Sequence, residues 1–124
     1  MADGYEIKRE DEFETLAGSG GAEWVLARRG LDLRAFGMNL VRIPPGGSIV
    51  AHDEGESGQV EVYAILEGEG VFEVDGTEHE APAGTWARLD PKVKRNILNR
   101  SDAALTALLI GSPADTGYEP MEWA

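Results

Sequence analysis

The 124-residue chain contains no cysteine. Its absence removes disulfide frameworks, thiolate metal sites and cysteine nucleophiles, and makes an intracellular, cytoplasmic setting the simplest expectation. Long apolar runs are missing too. Nothing approaches the ~20 apolar residues of a membrane-spanning helix, and the opening Met-Ala-Asp-Gly-Tyr-Glu-Ile-Lys-Arg lacks the apolar stretch of an export signal. Positive charge is scarce: 11 Lys and Arg stand against 23 Asp and Glu, for a net charge of −12. Lys8, Lys92 and Lys94 are the only lysines. Phosphate backbones and acidic lipid surfaces would repel such a chain, which argues against nucleic-acid and membrane partners and leaves small molecules and proteins.

What the sequence has in abundance is turns. Gly18 to Gly21, Pro44-Pro45-Gly46-Gly47, Glu67-Gly68-Glu69-Gly70, Asp75-Gly76, Pro82-Ala83-Gly84, Asp90-Pro91 and Asn99 to Asp102 punctuate short runs rich in Val, Ile, Leu, Tyr, Phe and Trp. This regular spacing predicts an all-β sandwich or barrel, with strands over 5–8, 24–28, 35–43, 49–52, 60–67, 70–74, 86–89, 94–98 and 105–110. At most a short helical turn is expected, within 10–16. The length suits one domain over 1–124, with an N-terminal arm (1–23) and a C-terminal strap (111–124) that Tyr118 and Trp123 would hold to the surface.

Side chains alternate between the faces of a strand. In 60–67 this groups Glu61 with Tyr63 and Ile65, opposite Val62, Ala64 and Leu66. Both faces are apolar, as expected of a strand covered on each side by the interior and by a packing partner or neighbouring subunit. Glu61 is the exception. A carboxylate on an interior face must be paired, protonated or bound to something.

From Gly46 onward the chain resembles the cupin family. The first cupin motif runs Gly, five residues, His, one residue, His, three or four residues, Glu, six residues, Gly. Gly46, His52, Glu61 and Gly68 fall into this pattern. Glu54 stands where the second His belongs, and six residues separate it from Glu61. The second motif keeps Gly84 and Asn99 at its ends, but Asp90, Lys92 and Arg95 occupy its Pro, Gly and His positions. The resemblance covers roughly 35–110 and implies a single cupin-type β-barrel or jelly roll, the double-stranded β-helix. It also implies a homodimer, since small cupins commonly pair through strand edges.

In cupins with both motifs complete, three His and a Glu hold a divalent metal inside the barrel, a mixed nitrogen and oxygen shell suited to iron, manganese or nickel. Here the candidate ligands are His52, Glu54 and Glu61. Arg95 cannot be one, because a guanidinium stays protonated and offers only donors. It is expected to point inward, pair with Glu54 or Glu61 and stand in for the metal's charge. The leading expectation is therefore a degenerate metal site with no required cofactor, binding a small molecule, an anion among the candidates, with help from Arg95, His52 and Tyr63. His52 and Glu61 are the candidates for acid and base work without metal.

Two rivals remain open. One is a metal-dependent oxygenase or isomerase using His52, Glu54 and Glu61, and the other is a structural or protein-interaction barrel. Glu54 lies in an acidic, glycine-containing loop where a solvated charge is as good an explanation as a ligand. His79, set among charged residues, reads as an exposed turn or edge residue. Asn99 reads as a turn cap.

Overall fold

A computed structural model of the chain describes residues 4–124; the first three residues of the expected N-terminal arm lie outside it. Nine strands follow in order: β1 (Thr15–Ala17), β2 (Glu23–Val25), β3 (Gly37–Ile43), β4 (Gln59–Glu67), β5 (Glu69–Val74), β6 (Thr77–Pro82), β7 (Trp86–Leu89), β8 (Arg95–Leu98) and β9 (Leu105–Pro113). They form a six-stranded sheet, β1-β2-β3-β9-β4-β7, and a three-stranded sheet, β6-β5-β8. All pairings are antiparallel. The all-β jelly-roll expectation holds.

The inner faces carry the apolar alternation read from the sequence. Val41 and Ile43 of β3, Tyr63 and Ile65 of β4, Phe72 of β5, Leu89 of β7, Ile97 of β8 and Leu105, Ala107 and Leu109 of β9 form one buried cluster. Tyr63 and Phe72 meet tilted at 54°, their ring centroids 6.4 Å apart. Gly68 sits between β4 and β5 at φ +84°, a conformation that only glycine adopts cheaply. A Cβ there would lie 2.9 Å from the Ala104 carbonyl oxygen, so the motif glycine is required sterically.

Several expected elements differ. Residues 5–8 form no strand: Tyr5 and Ile7 are exposed and the segment is unpaired. The expected strand 24–28 stops at Val25, and Ala27–Gly30 form one helical turn, α1. The turn expected within 10–16 is a 3-10 turn over Glu10–Glu12, after which β1 begins. Residues 49–52 run beside β8 but share only isolated bridges, Ser48 to Leu98 and His52 to Arg95. Val50 explains this, since its φ of +73° breaks the extended run. The strands β1 and β6 were not expected; β6 is so polar and exposed, apart from Ala81, that it carries no apolar alternation. The C-terminal strap does not pack through its aromatics, because Tyr118, Met121 and Trp123 are all exposed.

Asn99 does more than cap a turn. Wholly buried, its Nδ2 donates to the carbonyls of Ile43 (2.8 Å) and Ala103 (2.9 Å), while its Oδ1 accepts from the amide and hydroxyl of Ser101. It ties the end of β3 to the loop leading into β9. Asn99→Ala removes the Nδ2 donor from the buried Ile43 carbonyl, while the Ala103 carbonyl keeps the Ser101 hydroxyl, and should cost about 1–3 kcal/mol in urea unfolding. A loss under about 1 kcal/mol would show that this tie is not structural.

Candidate metal and ligand site

The site is assembled around one buried cation. Arg95 begins β8, and its side chain is wholly enclosed. Its terminal nitrogens donate to the carbonyls of Val93 (2.8 Å), Leu89 (3.1 Å), Asp90 (3.3 Å) and Pro91 (3.4 Å). The loop between β7 and β8 is thus wrapped around the guanidinium. Its Nε makes no hydrogen bond but lies 3.6 Å from Glu61 Oε1, a close ion pair. Arg95 points inward, as the alternation predicts.

The three candidate ligands each connect to this residue. His52 exchanges both backbone hydrogen bonds with Arg95, at 2.8 and 3.0 Å. The Glu54 amide donates to the Pro91 carbonyl at 2.7 Å, an oxygen that Arg95 also contacts. Glu61 pairs across the ladder with Leu89, whose carbonyl accepts from the guanidinium. These contacts bring one imidazole and two carboxylates together, with a ligand atom from each lying within 4.8 Å of the others.

The histidine's tautomer follows from its own neighbour. Nδ1 lies 3.0 Å from the Val50 carbonyl oxygen, which can only accept, so Nδ1 carries a proton. In the neutral ring Nε2 then presents a lone pair to the carboxylates, 3.3 Å from Glu54 Oε2 and 3.9 Å from Glu61 Oε1. The Val50 carbonyl is placed there by the positive φ already noted. For a β-branched residue that conformation is strained by about 1–2 kcal/mol, and here it serves to orient a site residue.

Glu61 is mostly enclosed. Burial pushes its carboxyl above the ordinary value of 4.5, and the Glu54 carboxylate adds to this; the Tyr63 hydrogen bond, Arg95 and His52 act in the opposite sense. Tyr63 donates its hydroxyl to Glu61 Oε1 at 3.0 Å. Burial first and the adjacent Glu61 second hold the phenol well above its usual value, so it remains a donor. Glu54 accepts from the Ser57 hydroxyl at 2.8 Å.

A cavity of about 150 Å³ opens beside the cluster, lined in part by His52, Glu61, Tyr63, Trp24, Asn39 and Gln59. It exists because Gly37 and Gly111 lie side by side on the inner face next to Glu61. A Cβ on Gly111 would come within 2.7 Å of Gln59 Oε1. Arg95 does not line this space, so a ligand there meets His52, Glu61 and Tyr63 rather than the guanidinium. Sequence reasoning missed Trp24, Asn39, Gln59 and Gly111. Gly111 could have been found from its alternation with Leu109 and Ala107; the others depend on strand pairing. His79 lies exposed on β6, an edge strand. A shallower groove of about 440 Å³ runs between Glu69, Glu80 and Arg100, lined by none of the candidate ligands.

Fold and site together define a small antiparallel barrel with a polar cluster able to hold a metal. The cupin domain model matches residues 39–111, and the chain belongs to the cupin family. Among solved structures it is similar to a sugar phosphate isomerase of the cupin superfamily from Silicibacter pomeroyi (25% identity over 88% of this chain and 76% of that one, TM-score 0.77). It is also similar to a cupin protein from Bacteroides fragilis (24%, 97% and 92%, TM-score 0.76) and to a predicted oxalate decarboxylase from Thermotoga maritima (26%, 86% and 97%, TM-score 0.69). No curated protein sequence matches the chain.

The raised Glu61 carboxyl predicts a pH dependence in metal-free protein. Its value in the fold lies above the unfolded one, so its contribution is complete below about pH 4.5 and is lost as the pH rises through the folded value. Glu61→Gln removes that loss. In urea unfolding, the stability of Glu61→Gln relative to the parent should therefore rise with pH across the carboxylate range and level off above it. A flat or falling difference would contradict the assignment.

Proposed function

We propose that the protein binds one divalent metal ion through His52 Nε2 and the carboxylates of Glu54 and Glu61, and uses it to hold a small oxygen-bearing ligand in the adjacent cavity. The observation that carries this reading is the convergence of the three ligand atoms within 4.8 Å, with the imidazole held in the tautomer that turns its lone pair toward the carboxylates. One nitrogen and two oxygen donors suit iron, manganese, nickel or zinc. The charge balance agrees. Arg95 offsets Glu61, the neutral imidazole adds nothing, and the second carboxylate is left for a cation.

When bound, such an ion supplies Lewis acidity and open positions for substrate oxygen. The chain's own residues supply the rest. Asn39 and Gln59 offer amide donors and acceptors in the cavity, Tyr63 keeps Glu61 oriented, and Trp24, Met38 and Leu109 line the apolar wall. About 150 Å³ is below the roughly 300–1,000 Å³ of drug-sized pockets. A ligand of a few heavy atoms, such as a short dicarboxylate or hydroxy acid, fits it better than a sugar phosphate. The likeness to a predicted oxalate decarboxylase supports that size class.

A second reading rests on Arg95. With a fixed positive charge 3.6 Å from Glu61, the cluster could do without metal, a protonated His52 bridging Glu54 and Glu61 as an internal ion pair. Calorimetric titration of metal-free protein with Mn²⁺, Fe²⁺, Ni²⁺ and Zn²⁺ separates the two. The metal reading expects one ion per chain, bound at least about 100-fold more weakly after His52→Ala or Glu61→Ala. It fails if no ion binds, or if both variants bind as the parent does.

A further inference from the structure

The register of three strands sets the floor of the cavity beside His52. In β4, Gln59, Glu61 and Tyr63 alternate onto the inner face. Glu61 stands across from Gly111 and, through it, Gly37; Tyr63 stands across from Leu109 and, through it, Asn39. The row with two glycines leaves the space, and Gln59 and Asn39 flank it from the rows on either side. A Cβ on Gly111 would lie 2.7 Å from Gln59 Oε1 and 3.6 Å from Glu61 Oε2, so both oxygens border the same void.

The other polar atoms at this void are engaged within the protein. His52 Nδ1 donates to the Val50 carbonyl, the Tyr63 hydroxyl donates to Glu61 Oε1, and that same oxygen faces Arg95 and His52. Glu61 Oε2 and the amides of Asn39 and Gln59 are left to meet a ligand. Building on the metal reading above, we propose that the cavity selects a short monocarboxylate bearing a hydroxyl group, and that Gln59 is the residue that recognises the hydroxyl.

Charge decides the class of ligand. A divalent ion and Arg95 bring three positive charges to the cluster, and Glu54 and Glu61 bring two negative ones. One positive charge remains, and one carboxylate neutralises it. A second carboxylate would carry its charge into a space that no lysine or arginine lines, beside Glu61, and burying an uncompensated charge is costly. The far end of the ligand must therefore be neutral. It must also be polar, because an apolar end would leave the Gln59 amide without a partner. A hydroxyl meets both conditions. It donates and accepts, so it can give its proton to Gln59 Oε1 or Glu61 Oε2 while accepting from an amide N–H. The volume of about 150 Å³ holds the chain to a few carbons.

Calorimetric titration of the full chain, saturated with whichever of Mn²⁺, Fe²⁺, Ni²⁺ or Zn²⁺ binds most tightly, tests the proposal with lactate, propionate and malonate as probes. Lactate should bind at least about 10-fold more tightly than propionate, which lacks the hydroxyl, and at least about 10-fold more tightly than malonate, whose second charge is uncompensated. Gln59→Leu, which keeps the volume and removes the amide, should bind lactate and propionate alike while holding the metal as the parent does. Gln59→Ala reads the same loss if leucine does not fit. Malonate binding as tightly as lactate overturns the proposal, as does a parent with no preference for lactate over propionate, or a preference that survives both substitutions. Metal binding without binding of any probe overturns it and leaves the metal reading standing; no metal binding overturns both.

Discussion

A guanidinium buried inside a β-barrel is the constraint on which this architecture turns. Arg95 is enclosed by protein on all sides, and its charge is met by four backbone carbonyls and one carboxylate. Removing such a group from water is costly unless every donor is matched, and only Nε lacks a hydrogen-bond partner. The loop between β7 and β8 takes its shape from turning its carbonyls toward this one side chain, which donates to them. The same loop fixes the Glu54 backbone, and the Arg95 backbone pairs with His52. The cation thus positions the cluster without touching anything that enters the cavity.

This changes the meaning of an arginine at the motif's histidine position. From sequence, Arg95 could be a replacement for metal charge, an anchor for an anionic ligand, or a partner of either glutamate. The structure separates these roles. Glu61 is the partner, Glu54 is reached only through the Pro91 carbonyl, and the guanidinium does not line the cavity. Because its terminal nitrogens are held by carbonyls, it compensates one carboxylate and leaves the other.

The fold was legible because the barrel's inner faces alternate strictly and its turns carry glycine and proline at close intervals. Glu61, Tyr63 and Ile65 were grouped correctly from alternation alone, and Arg95 was placed inward. What the sequence hid was of two kinds. β6 is an exposed edge strand without apolar alternation, and 49–52 looks like a strand but is interrupted by Val50 in a conformation that valine rarely adopts. The cavity depends on cross-strand neighbours, since Gly37 and Gly111 meet only through register. The tail stays exposed although it carries Tyr118 and Trp123, because aromatic content says nothing of what a segment packs against.

The central claim is that Arg95 organises the site structurally. Equilibrium urea unfolding of Arg95→Met in metal-free protein tests it most directly, because methionine keeps much of the stem while removing every donor. The account predicts a loss of about 3–5 kcal/mol, as four carbonyls and the Glu61 carboxylate lose the guanidinium together. A loss under about 1 kcal/mol would contradict it, and would place the assembly of the His52, Glu54 and Glu61 cluster elsewhere in the fold.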